Sequence, residues 1–246
     1  MSEVQSLARG LVILKLLGDA PGGMTITDLA DNLGVDKGTA SRLVSTLAGF
    51  GYVERDEDTR RYLLGSQVVT LSRKVLGRMP LRETAKPFLN QLMQQSGECA
   101  HLAIHAQGKA LYIDQVESPA SLRVNAQVGT MNPLHCTALG KVLLAFGAAG
   151  LPALLEPHTA NTITDYASLS SHLEEIRHSG YALDDEEFDP GVRCIAVPVF
   201  DFKGKVVGAI GISGPSSRMT IERVNELKEI VISIGKQLTD KMVFVR

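Results

Sequence analysis

Cys194 and His135 are the side chains of this 246-residue chain best suited to covalent chemistry. The thiol would act as nucleophile and the imidazole as base, on a small organic acid. That chemistry needs a thiolate, and hence a cationic neighbour or a metal beside the sulfur. His135 and Cys194 could also chelate zinc together with Asp184. His101 and His105 lie four apart, so a strand would put them on one face, but no third ligand is near them in the sequence. Asp184-Asp185-Glu186-Glu187 is a run that a solvated turn would ordinarily hold; only strand alternation sends Asp184 and Glu186 to the same side. Cys99, Cys136 and Cys194 are odd in number and widely spaced, which is neither a disulfide framework nor a zinc-finger pattern. There is no G-x-S-x-G elbow, no phosphate-binding loop and no dinucleotide fingerprint. The weight therefore falls on binding. No catalytic residue, metal ligand or cofactor is assigned.

The elements that must position these residues read as a mixed α+β chain. A helix is expected from Leu81 to Ser96, closed by Gly97. Strands follow at Cys99–Ala106, Ala110–Glu117 and Leu122–Val128, with Gln107-Gly108-Lys109 turning between the first two. Thr137–Phe146 and Ser168–Gly180 read as helices. Tyr181–Glu187, Arg193–Asp201 and Val206–Ser213 read as strands, and Thr220–Met242 as a long closing helix. Strands and helices segregate without β-α-β alternation, which predicts an antiparallel sheet flanked by helices.

The segment Thr25–Gly65 has a different character. Thr25 or Thr27 can cap a short helix, Asp28 sits in its positive first turn, and Gly34 ends it. Asp36 caps a second helix whose Ala40, Leu43, Val44 and Leu47 form an inward stripe. Lys37, Gly38, Thr39, Ser41, Arg42 and Ser45 are left facing out, small or hydrogen-bonding with two cations. A helix that enters a DNA major groove needs such a face. Tyr52–Arg55 and Arg61–Leu64 then read as a hairpin around an acidic tip, and Arg55, Arg60 and Arg61 could reach the DNA backbone or a minor groove. With the bracing helix Ser6–Leu17, this is the pattern of a winged helix-turn-helix.

Charge limits how strongly one such module can bind. Residues 1–75 hold nine cations and nine anions, and the whole chain carries a formal net charge of −2. Affinity for double-stranded operator DNA must come from charge placed on one face and from two copies acting together. Ser66–Arg78 is a mostly amphipathic helix, stopped by Met79-Pro80, that could join two domains and pair with its twin. Apolar runs such as Leu11–Leu17 are too short to span a bilayer and no signal peptide is visible, so a cytoplasmic protein with no membrane partner is expected.

The segments SLARGLVILKLL, GYVER with YLLG, NPLHCTALGKVLLA, GYALDDEEFDPGVRCIAVPVFD and AIGISGPSSRMT, in that order, resemble the IclR family of bacterial transcriptional regulators over nearly the full length. The resemblance implies a winged helix-turn-helix over 1–65, a linker helix over 66–79 and a GAF-like effector-binding domain over 80–246. It also implies dimers or tetramers, and control, most often repression, of catabolic operons by small carboxylate metabolites. The loop HCTALGK, His135 to Lys141, opens a helix, and in the family backbone N–H groups there hold the effector's carboxylate; here these are those of Ala138 and Leu139. The family's pocket wall adds an Asp and a Cys, matched by Asp184 and Cys194, and two serines. The second serine is Ser213, but the first is replaced by Gly211. That departure removes a hydroxyl and is expected to leave room for an effector bulkier than the smallest keto acids. The wording of the pocket segments is most similar to the branch that senses sugar-acid intermediates such as 2-keto-3-deoxygluconate, although aromatic-acid sensors share much of it.

Overall fold

The computed structural model describes residues 4–124, 126–147 and 149–243. The chain divides into two compact units, Met1–Arg78 and Met79–Arg246.

In the first unit, α1 (Gln5–Asp19) buries Ile13 and Leu17 against α2 (Ile26–Leu33) and α3 (Lys37–Gly49). Local chemistry sets the helix-turn-helix. The Thr25 hydroxyl accepts from the Asp28 N–H while the Asp28 carboxylate accepts from the Thr25 N–H, a reciprocal capping box. Gly34 ends α2 at φ 62°, a left-handed conformation that glycine adopts at little cost. The Asp36 carboxylate then caps α3 by accepting from the Thr39 N–H. The wing is a short antiparallel pair, β1 (Val53–Arg55) and β2 (Tyr62–Leu64). α4 (Ser66–Leu76) follows and buries none of its residues.

The second unit is a six-stranded antiparallel sheet in the order β5-β4-β3-β8-β7-β6. Its strands are β3 (Cys99–Ala106), β4 (Lys109–Val116), β5 (Met131–Asn132), β6 (Ala182–Asp185), β7 (Val192–Phe200) and β8 (Val206–Pro215). α5 (Pro80–Ser96) and α8 (Ile221–Val243) pack together and against the sheet. α6 (Ala138–Phe146), backed by α7 (Tyr166–Ser179), also lies on it. Strand alternation divides these layers. On the α6 side the sheet offers small residues, Ala103, Ala182, Ala196 and Ala209, so that a helix apolar but for Lys141 can seat closely. Across the sheet, Gly235 of α8 lies so near Val197 that an added Cβ would stand 2.3 Å from its Cγ2.

The strand expected at Leu122–Val128 does not form among the described residues; Asn125 lies outside them. The outer strand is β5, which pairs with β4 at Ala110 and Leu111. The alternation that suggested a strand has another cause, since Val124 and Ala126 cover a cavity rather than join the sheet. The other helices and strands fall close to their expected spans. No helix among the described residues is long and apolar enough to cross a membrane.

Lys141 of α6 has no exposed side-chain surface. Its ammonium donates to the Glu187 carboxylate and to the Leu183 carbonyl, and lies 3.3 Å from His172 Nε2. Removing one member of a buried ion pair strands the other, at a cost of about 3–5 kcal/mol. Lys141→Met should therefore destabilise the chain by about that amount in urea unfolding at neutral pH. The double variant Lys141→Met with Glu187→Gln should regain more than half of the loss.

Candidate functional site

The exposed face of α3 carries Lys37, Ser41, Arg42 and Ser45, as the sequence predicts. Thr39 behaves differently. It is half-buried, its hydroxyl donates to Asp36 at 2.7 Å, and it accepts from the Arg42 guanidinium at 3.2 Å. It serves the helix cap and steadies Arg42. On the wing, Arg55 lies over the Tyr62 ring, 5.8 Å from its centroid. Arg61 does not extend outward: its guanidinium donates to the Gly23 carbonyl at 2.8 Å, because the Met24–Tyr62 bridge brings that loop alongside. Arg60 occupies the tip in a left-handed conformation, φ 57°. The Asp56 carboxylate accepts from the N–H groups of Asp58 and Thr59 and so closes the tip.

In the second unit a cavity of about 160 Å³ lies over the α6 side of the sheet. Three of its walls come from one row across the strands. Asp184 of β6 stands opposite Cys194 of β7, which stands opposite Ser213 of β8. Tyr112, Asn132 and Phe188 close other sides. Thr137, the N-cap of α6, also lines it, its hydroxyl accepting from the Gly140 N–H at 3.1 Å. Ala138 and Leu139 are the first two helical residues, whose N–H groups have no acceptor within the helix.

Burial sets the protonation states. The Asp184 carboxyl is pushed up to about 7 by loss of solvent, even though it accepts from the Glu187 N–H at 2.9 Å. The Cys194 thiol is driven well above its usual value, first by burial and then by the Asp184 charge. Cys194 is half-buried at the cavity wall, and a thiol kept neutral there is a poor nucleophile, which weighs against a catalytic role. His101 bonds Ser213 Oγ through Nε2 at 2.6 Å, and burial pushes it down to about 4, so it is neutral near pH 7. No lysine or arginine lines the cavity among the described residues.

The room expected beside Gly211 is not there. A Cβ added at that position would meet the Ile195 carbonyl oxygen at 2.2 Å, because β7 runs tight against β8 at that point. Gly211 therefore does not enlarge the cavity and is absent from its lining. His135 is likewise not joined to Asp184 and Cys194 as a metal triad. Its Nε2 lies 3.0 Å from the Glu156 carbonyl, and its potential ligand neighbours are Cys136 and His158. His101 and His105 share the β3 face but not an environment, the first buried and the second exposed. Sequence reasoning missed Thr137 as a lining residue, although a threonine three before Gly140 at a helix start is a legible cap. Tyr112, Asn132 and Phe188 carry no local signal.

Stability should report the buried Asp184. A carboxyl with a raised value in the folded state favours folding while protonated. That advantage begins to fade above the usual carboxylate range near pH 4 and is gone above about 7. Asp184→Asn imitates the neutral acid. Its thermal midpoint should match that of the unmodified chain near pH 4 and exceed it by several degrees at pH 8. A constant difference across that range would mean that Asp184 is ionised throughout.

The chain resembles known proteins in both units. Residues 6–57 match the IclR helix-turn-helix domain, and residues 73–240 match the family described as bacterial transcriptional regulator IclR C-terminal. It is 34% identical over 245 residues to the HTH-type transcriptional regulator XynR of Escherichia coli K12, covering 97% of each chain. It is 33% identical to the transcriptional repressor IclR of the same organism, covering 96% of this chain and 89% of that one. The crystal structure of the Thermotoga maritima IclR superposes with a TM-score of 0.77 at 30% identity, covering 98% of this chain and 100% of that one. The relatives are named as regulators, and nothing among them supports an enzyme. The chain therefore belongs to the IclR family, DNA-binding transcriptional regulators whose C-terminal domain binds a small-molecule effector.

Proposed function

We propose that the chain represses a catabolic operon and is released from its operator by a small carboxylate metabolite, a sugar acid or an aromatic acid. Residues 1–65 bind DNA, 66–79 form the linker, and 80–246 bind the effector. α3 enters the major groove with Lys37, Ser41, Arg42 and Ser45, Thr39 holds the cap, and Arg60 of the wing reaches the backbone. Arg55 and Arg61 support the wing through Tyr62 and Gly23.

The observation that carries the effector reading is the make-up of the cavity. A buried helix begins at one wall, polar groups from three adjacent strands form another, and no cation lines it among the described residues. A carboxylate there is held by N–H dipoles, those of Ala138 and Leu139, rather than by an ion pair. Asp184, Cys194 and Ser213 then meet the ligand's hydroxyl or keto groups, with Asp184 protonated while the anion is bound.

Oligomerisation supplies the affinity that a neutral module lacks. The exposed Val69 and Val75 of α4, 70% and 55% accessible, support pairing of this helix with its twin in a dimer or tetramer. Effector binding shifts the population in which two α3 helices match half-sites about one helical turn, or a multiple of it, apart. The site of action is the cytoplasm.

Arg42→Ala should weaken binding of the chain's upstream DNA about tenfold in a gel-shift titration. Unchanged affinity would place the reading helix elsewhere. Sugar acids and aromatic acids that raise the thermal midpoint should include at least one that releases this DNA. Equal DNA binding with and without every carboxylate that binds would reject the effector reading.

A further inference from the structure

We propose that His135, Cys136 and His158 form a binding site for a zinc-type divalent metal. One potential ligand atom from each lies within 4.8 Å of the other two, and among the described residues theirs is the group of this kind. Two imidazoles and a sulfur are soft and borderline donors, which select zinc or cobalt over magnesium or calcium. Bond lengths of about 2.0–2.3 Å in a tetrahedral site require the ligand atoms to be roughly 3.3–3.8 Å apart. The group must therefore close by about one ångström on binding. His158 can supply that movement, since it is exposed on the segment between α6 and α7.

Two further features are organised as a metal site requires. The His135 Nε2 faces the Glu156 carbonyl oxygen at 3.0 Å. A carbonyl only accepts, so Nε2 carries the proton and Nδ1 keeps its lone pair. This is how an outer hydrogen bond orients a ligating histidine. The backbone that carries His158 is held by hydrogen bonds, so the closing movement falls to its exposed side chain. The His158 N–H donates to Thr162 Oγ1 at 3.0 Å, the Thr159 hydroxyl to the Glu186 carbonyl at 2.6 Å, and the Thr162 hydroxyl to the Glu187 carbonyl at 2.6 Å. A metal there would clip this segment to the start of α6.

The clip would stand beside the effector cavity. Thr137, the next residue after Cys136, lines the cavity, as does Phe188, whose ring lies 5.0 Å from that of His158. Three protein ligands leave one coordination position for water or another oxygen ligand. The inference does not depend on which effector the cavity takes.

The test uses the full chain, freed of any affinity tag, stripped with a chelator and titrated with Zn²⁺ alone or Co²⁺ alone. One equivalent per chain should bind and raise the thermal midpoint, and Co²⁺ should give a sulfur-to-metal charge-transfer band. His158→Ala, an exposed change that leaves the fold intact, should weaken binding by about tenfold or more. Cys136→Ser should abolish the charge-transfer band. Absence of saturable binding, or equal affinity in His158→Ala and the unmodified chain, would overturn the proposal.

Discussion

The effector-side unit depends on one buried ammonium. Lys141 sits in the middle of a helix whose residues are otherwise apolar and buried, and it is the polar tether between α6 and the turn after β6. β6 and that turn carry Asp184 and Phe188 to the cavity. The apolar surface of α6 does less to fix its position along the sheet, since apolar contact has little directional preference. A buried ion pair is weak support for stability but strong support for a single arrangement, because any slip leaves a charge unpaired. Gly140 works in the same direction. A Cβ there would stand 2.7 Å from the Leu134 carbonyl, so the first turn of α6 can press against the segment before it.

The cavity then follows from strand register. Asp184, Cys194, Ser213 and Cys99 occupy one row across β6, β7, β8 and β3. Three of these line the cavity, and His101, two residues along β3, orders the serine hydroxyl from behind. Loss of solvent keeps the Cys194 thiol and the His101 ring neutral and holds the Asp184 carboxyl protonated up to about pH 7, as the proposed binding of an anion without a counter-cation requires.

Much of this was legible in the chain. The helix-turn-helix is written in local chemistry, from Thr25 and Asp28 through Gly34 to Asp36, so its reading needed only neighbouring residues. The strands bearing Asp184, Cys194 and Ser213 followed from period-two alternation. What escaped was set at long range. The Leu122–Val128 alternation is real, yet alternation cannot say whether a segment covers a sheet or a cavity. The effect of Gly211 turned on how closely β7 approaches, which no residue near Gly211 in sequence reveals. Arg61 looked free for DNA because its partner, Gly23, is 38 residues away.

The pleat of β7 has a consequence for how such a protein can change. Cys194 and Val192 face the cavity, while Val197 lies under α8 on the opposite surface. Cavity lining and structural cohesion are thus written on alternate letters of one strand. A lineage can revise the first set by single steps while the second stays fixed. The same scaffold can in this way acquire a new chemical vocabulary without passing through an unfolded ancestor.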